Sequence, residues 1–204
     1  MGLIFIFFGR NATGKSVLVK NVQEKFRLNA VHTRRLVAEL DKSKTEKELL
    51  AGFEKQSQTA YLDAVKGQIV AKRKRDGLII EGPFSLAEVR KIQSFFPQDQ
   101  IVLVELDSTS QLRLKRLMAR HNLAPKEAYQ HMQKSDGIRT KRGITSLEQN
   151  PNVVVTNNAG LDELYRQFHE KVLFHQRERL LTVLKNRTRK LSISSNKHNT
   201  AHKK

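Results

Sequence analysis

Apolar residues in this chain gather into short unbroken runs, separated by stretches in which they recur every three or four positions. Leu3–Phe8 is apolar throughout. It reads as a strand buried on both faces, running straight into Gly9. Residues 15–27 carry Val19, Val22 and Phe26 at helical spacing, and a weakly marked strand at 29–33 follows. Over residues 45–75, Leu49, Leu50, Phe53, Tyr61, Val65 and Ile69 keep a helical period across a length that suggests two helices or a bent one. Gly77–Glu81 is a second buried strand, closed by Gly82 and Pro83. Ser85 and Glu88 form a capping box that starts a helix over Leu86–Phe95, and Pro97 ends it.

A third buried strand covers 101–105, and an amphipathic helix covers 108–120. That helix turns Leu112, Leu114, Leu117 and Met118 inward, with arginines opposite. Pro125 suits the first turn of a short helix over 125–134. Residues 136–150 show no clean period and read as a mobile loop. Residues 152–156 form the last strand, and 161–184 a long terminal helix. Beyond residue 186, Ser, Asn, Lys and His dominate, and disorder is expected. Strands alternating with helices predict an α/β doubly wound domain, with a mainly parallel five-stranded sheet flanked by helices. The domain is expected to span 1–185, with a lid-like region at about 120–150 and a basic tail at 186–204.

The 204 residues are 38% hydrophobic, enough for one domain with its own core. The absence of cysteine excludes disulfides and thiolate chemistry and fits a reducing compartment. No apolar run is long enough to span a membrane, so a soluble cytoplasmic protein is expected. The net charge of +18 calls for an anionic partner. Seven basic residues and no acid fall within 181–204, which leaves a basic excess on the domain as well.

The motif carrying the chemistry is Gly9-Arg10-Asn11-Ala12-Thr13-Gly14-Lys15-Ser16, which matches the phosphate-loop pattern G-x-x-x-x-G-K-[ST] at every position. Glycines let successive N–H groups turn toward phosphate oxygens, and the helix that follows adds its positive end. Lys15 is expected on the β- and γ-phosphates of ATP, and the Ser16 hydroxyl on Mg²⁺. The buried strand before the loop and the helix after it are the context this motif requires.

Further along, the apolar strand ending at Asp107 is followed by Arg116-Leu117-Met118-Ala119-Arg120. This resembles the fourth strand and lid-entry helix of nucleoside monophosphate kinases and dephospho-CoA kinases, whose arginines face the transferring phosphoryl group. Asn122 to Ala128 is similar to the lid helix of dephospho-CoA kinases. Val153 to Leu164, with Asn157, is similar to their last strand and the turn after it. Glu81 to Val89 resembles a segment of a kinase-related archaeal group. The resemblance spans roughly residues 3–170 and implies a P-loop kinase fold with ATP and Mg²⁺. It assigns catalytic roles to Lys15, Arg116, Arg120 and Glu81, nucleotide contact to Asn157, and metal binding to Ser16 and Glu81. The chain departs from those kinases in three places. Ala12 stands for a third loop glycine, His32-Thr33-Arg34-Arg35 stands where an acceptor-binding acid is usual, and in the archaeal segment Glu81 replaces an Asp and Phe84 an arginine.

Phosphoryl transfer needs positioning and neutralisation of charge spread over equatorial oxygens. Lys15, Arg116 and Arg120 supply fixed positive charge, and Arg139, Lys141 and Arg142 are placed to close over the phosphates. Glu81 is expected to serve Mg²⁺ through water or to take the acceptor's proton. Asp107 reads as a helix cap, and His32, His121 and His131 as surface residues. Two functions remain open at this level. One is a kinase acting on a nucleotide or nucleotide-like acceptor. The other is an NTP-binding or hydrolysing protein that associates with nucleic acid through its basic surface and tail. Oligomeric state is not legible.

Overall fold

A computed structural model of the chain describes residues 2–74 and 77–174. It consists of two units, Met1–Leu164 and Tyr165–Lys204. In the first, β1 (Leu3–Phe8), β2 (Asn29–His32), β3 (Gly77–Glu81), β4 (Gln100–Asp107) and β5 (Val153–Thr156) form one sheet in the order β2-β3-β1-β4-β5. Every pairing is parallel. The most apolar strand, β1, takes the centre, and all six of its residues are buried. This is the α/β architecture with a parallel sheet that the alternation of runs predicts.

The helices are α1 (Lys15–Phe26), α2 (Thr33–Ala38), α3 (Glu46–Glu54), α4 (Ala60–Ala71), α5 (Leu86–Phe95), α6 (Ser110–His121), α7 (Pro125–Lys141), α8 (Ile144–Glu148) and α9 (Leu161–Phe168). Alternation along the strands divides the sheet between two layers. Ile4, Ile6 and Phe8, with Leu78, Ile80 and Leu103, join one core cluster with Leu36, Leu50, Leu62, Val65, Ile69, Val89, Ile92 and Leu147, contributed by α2 to α5 and α8. Against β1, β2 and β3 also packs α1, which buries Leu18, Val19 and Val22. The predicted helical stretch over 45–75 is two helices, as its length suggested, and α5 starts at the capping box of Ser85 and Glu88.

Three expectations are corrected. Residues 136–150 are not a loop: α7 runs on to Lys141, and α8 follows after Gly143. The inner face of α7 beyond Met132 carries Asp136 and Arg139, which bond to other parts of the domain, so its period is hidden from a hydrophobicity count. Ile144 and Leu147 of α8 are fully buried. The arginines of α6 do not all lie opposite its apolar face, because Arg113 is 3% exposed. Asp107 is no helix cap; Thr109 caps α6, its hydroxyl accepting from the Leu112 N–H at 3.4 Å.

The second unit begins within α9, and His169–Phe174 continues it as π-helix. In this stretch Arg166 pairs with Glu170 at 2.6 Å. The rest of the expected terminal helix and the basic tail, with its expected nucleic-acid role, lie outside the described residues.

Because Ile144 fills the core, Ile144→Ala is expected to lower stability by roughly 2–5 kcal/mol. Chemical denaturation at an unchanged m-value checks this, whereas a mobile loop would register almost no change.

Candidate phosphate-binding site

Parallel register lines up the carboxyl ends of the strands. Phe7 pairs with Glu81, His32 with Glu81, Phe8 with Glu105, and Asp107 with Thr156. Open α/β sheets bind ligands at this edge, and the loop from Gly9 to Ser16 leaves β1 there. Gly9 has φ +135°, and a Cβ on it would stand 2.2 Å from the Leu106 carbonyl oxygen. Gly14 has φ +102°, and a Cβ there would meet the Asn157 amide nitrogen at 2.3 Å. Neither position accepts a side chain. Ala12 adopts φ 60° despite its Cβ.

The carbonyls of the loop are held from outside by side chains brought from distant elements. Arg113 Nε donates to the Asn11 carbonyl at 2.8 Å, Arg116 to the Ala12 carbonyl at 3.2 Å, and Asn157 Nδ2 to the Thr13 carbonyl at 2.9 Å. In a trans peptide the N–H points away from the carbonyl it follows. Holding these carbonyls therefore turns the Thr13 and Gly14 N–H groups the other way, toward the loop's concavity, as a nest for an anion requires. The loop is tied to α7 and α8 by a second layer of contacts. Arg113 grips Asp136 of α7 through both carboxylate oxygens at 2.6 and 2.8 Å, and Arg10 grips Glu148 of α8 in the same way at 2.8 Å.

Lys15 Nζ donates to the carbonyls of Gly9 at 2.9 Å and Arg10 at 2.7 Å. Burial pushes its pKa down to about 7, with the nearby Arg139 charge adding to the effect and Glu81 opposing it. Arg139 also donates to the Gly9 carbonyl, at 2.8 Å, and is itself pushed down to about 10, first by burial and then by Arg34. The Ser16 hydroxyl donates to Glu81 Oε1 at 3.1 Å. A hydroxyl and a carboxylate at this separation are the hard oxygen pair that Mg²⁺ takes in such loops, so the residues present fit that ion.

The remaining expected site residues divide. Asn157 is buried, its amide group on the loop and its Oδ1 without a partner. Arg116 reaches the loop but also bonds Ser108 Oγ at 3.0 Å and the Asn157 carbonyl at 2.8 Å, so its guanidinium serves as a brace. Arg10 turns its side chain away onto Glu148, leaving its backbone to the loop. Arg120 is exposed, near enough for its charge to bear on Lys15. Arg142 pairs with Glu54 at 2.6 Å, away from the loop, and Lys141 is exposed, whereas Arg139 lies in the site. His32 is not a surface residue: it is half-buried, with Nδ1 unpartnered. Arg113 and Asp136 were not singled out from the sequence. Their only trace there was an arginine on the apolar side of an amphipathic pattern.

No family profile matches the chain. A UPF0200 protein of Thermococcus onnurineus (strain NA1) is 25% identical over 178 residues, covering 83% of this chain and 96% of that protein. Among solved structures, a gluconokinase from Sinorhizobium meliloti 1021 superposes with a TM-score of 0.58 at 15% identity, over 89% of this chain and 96% of its own. The shikimate kinase of Acinetobacter baumannii gives 0.53 at 18% identity, over 86% and 94%. That of Bacteroides thetaiotaomicron gives 0.52 at 16%, over 90% and 98%. The fold is that of the P-loop kinases. In this fold the loop from Gly9 to Ser16 is the turn that follows the central strand β1. Among the described residues, no helix is long and apolar enough to cross a membrane.

Two outcomes follow from the geometry. Arg113→Met is expected to cost roughly 1–3 kcal/mol, measured by denaturant unfolding, because it removes the donor to the Asn11 carbonyl and leaves Asp136 with Arg10 at 3.8 Å. The second concerns Lys15, whose pKa is lower folded than unfolded. The folded chain thus holds fewer protons between about pH 7 and 10.5. The cost of its charge is full below that window and vanishes above it. Lys15→Met should therefore raise the melting temperature of the ligand-free protein more at pH 6 than at pH 10, and a pH-independent difference would contradict the assignment.

Proposed function

We propose that the chain is an ATP-dependent phosphotransferase, which moves the γ-phosphoryl group to a hydroxyl of a nucleotide or nucleotide-like small acceptor. The observation that carries this reading is the loop itself. Its carbonyls are held outward by Arg113, Arg116 and Asn157, while Lys15, Ser16 and Glu81 converge at the carboxyl edge of the sheet. The solved proteins that share the fold are a gluconokinase and shikimate kinases, which supports transfer to a small molecule as the reaction class.

Backbone N–H groups of the loop and the first turn of α1 bind the β-phosphate. Lys15 exchanges its own loop carbonyls for β- and γ-phosphate oxygens, and in doing so regains a full positive charge. Ser16 and Glu81 would hold Mg²⁺, which supplies charge neutralisation at the phosphates when bound. Arg139 lies against Gly9 and moves onto the γ-phosphoryl oxygens as negative charge redistributes there. Arg120, from the end of α6, adds long-range positive charge. The acceptor oxygen forms its bond to phosphorus as the bond to the ADP oxygen breaks and ADP keeps that electron pair. The acceptor's proton passes to the Glu81 carboxylate and on to solvent. Arg113 acts only through the loop.

Lys15→Ala is expected to abolish the thermal stabilisation that Mg-ATP gives the wild type while leaving the ligand-free fold intact. Differential scanning fluorimetry with and without Mg-ATP reads this directly. A mutant that shifts as far as the wild type would overturn the site.

A further inference from the structure

Beside the loop lies a cavity of about 570 Å³, with walls supplied by the start of α2, the turn after β3 and the stretch of α7 from His131 to Arg139. Its floor is Phe84, 8% exposed. The ring is fixed from behind, because the backbone N–H of Phe84 and that of Ser85, at 3.1 Å, both donate to Glu88 Oε2. The other oxygen of Glu88 accepts from the buried Tyr61 hydroxyl at 2.7 Å. Two guanidinium groups rest on this one ring. Arg34 Cζ is 4.1 Å from its centroid and Arg139 Cζ is 4.5 Å.

Stacking on an aromatic face orients a guanidinium and leaves its in-plane N–H groups for a ligand. Arg34 Nε is buried and has no hydrogen-bond partner. Arg35 and Lys134 add positive charge to the lining, and Glu46 is the one acidic side chain named among the residues that form it. Two half-buried like charges against one ring repel each other, and burial followed by this repulsion holds Arg139 below its ordinary value. Such an arrangement is costly without an anion and favourable with one. It also stands where the sequence departs from the kinases it resembles, with Arg34 near the usual position of an acceptor-binding acid and Phe84 in place of an arginine.

We propose that this cavity is the acceptor site and that Arg34, together with Arg139, clamps a phosphate monoester already carried by the acceptor. The proposal rests on the phosphotransferase reading of the neighbouring loop. A phosphate monoester offers three terminal oxygens and close to two negative charges, enough for both guanidiniums at once, whereas a carboxylate offers two oxygens and one charge. Arg139 bonds the Gly9 carbonyl and touches the Phe84 ring, so it joins the two sites. A phosphate held there places the rest of the acceptor within reach of the γ-phosphoryl group.

The test is calorimetric, with the phosphate loop first saturated by a non-hydrolysable ATP analogue and Mg²⁺. The probes are the four ribonucleosides, their 5′-monophosphates, inorganic phosphate and acetate. At least one monophosphate is expected to bind tenfold or more above its nucleoside, and phosphate above acetate. Arg34→Gln should remove that margin, a loss of roughly 10- to 100-fold for one charge-assisted hydrogen-bonding group. Arg34→Lys should restore part of it, while affinity for the ATP analogue stays unchanged in both variants. If the ATP analogue binds but no monophosphate exceeds its nucleoside, or acetate equals phosphate, the acceptor proposal is overturned and the kinase reading stands. If the analogue itself fails to bind wild type, the reading of the loop falls first.

Discussion

The burial of Leu3–Phe8 on both faces is the constraint from which the site follows. A strand with no polar face must sit inside a parallel sheet and under cover on both sides, and β1 accordingly lies between β3 and β4. Its end is then the middle of the carboxyl edge, with Glu81 on one flank and Glu105 on the other. A loop leaving at that point is within reach of side chains from α6, α7 and β5, which is where its supports come from.

Those supports make the loop from Gly9 to Ser16 a product of tertiary structure as much as of its own glycines. Glycine permits the backbone path at positions 9 and 14, yet Arg113, Arg116 and Asn157 hold the carbonyls that define it. The same arginine that holds Asn11 also grips Asp136, so the helix bearing Arg139 is registered to the loop through one guanidinium. Arg10 and Glu148 repeat the device on α8. The cationic crowding this creates is balanced by carbonyl dipoles and by the carboxylates of Asp136, Glu148 and Glu81.

Much of this was legible in the residues. Unbroken apolar runs located the strands, the capping box of Ser85 and Glu88 located α5, and the loop motif picked out the turn that leaves β1 at the carboxyl edge of the sheet, because in each case a local pattern answers to a local physical need. What stayed hidden depends on partners far apart in the chain. Residues 136–150 showed no period because Asp136 and Arg139 take the places on α7 that apolar residues would otherwise hold. Arg113 looked like one solvated arginine among several on α6, since nothing near it in sequence announces a carboxylate on another helix. His32 gave no signal either, its burial arising from the pairing of β2 with β3.

The ligand-free loop is also a self-occupied one. Lys15 and Arg139 both rest on the Gly9 carbonyl, so a ligand that takes either side chain for itself first has to draw it off that oxygen. An apparent dissociation constant then equals the intrinsic one divided by the fraction of molecules in the receptive state. Anything that shifts α7, and with it Arg139, alters that fraction without touching the loop's own residues. Arg139, which touches both the Gly9 carbonyl and the Phe84 ring, in that sense couples the loop to the cavity beside it.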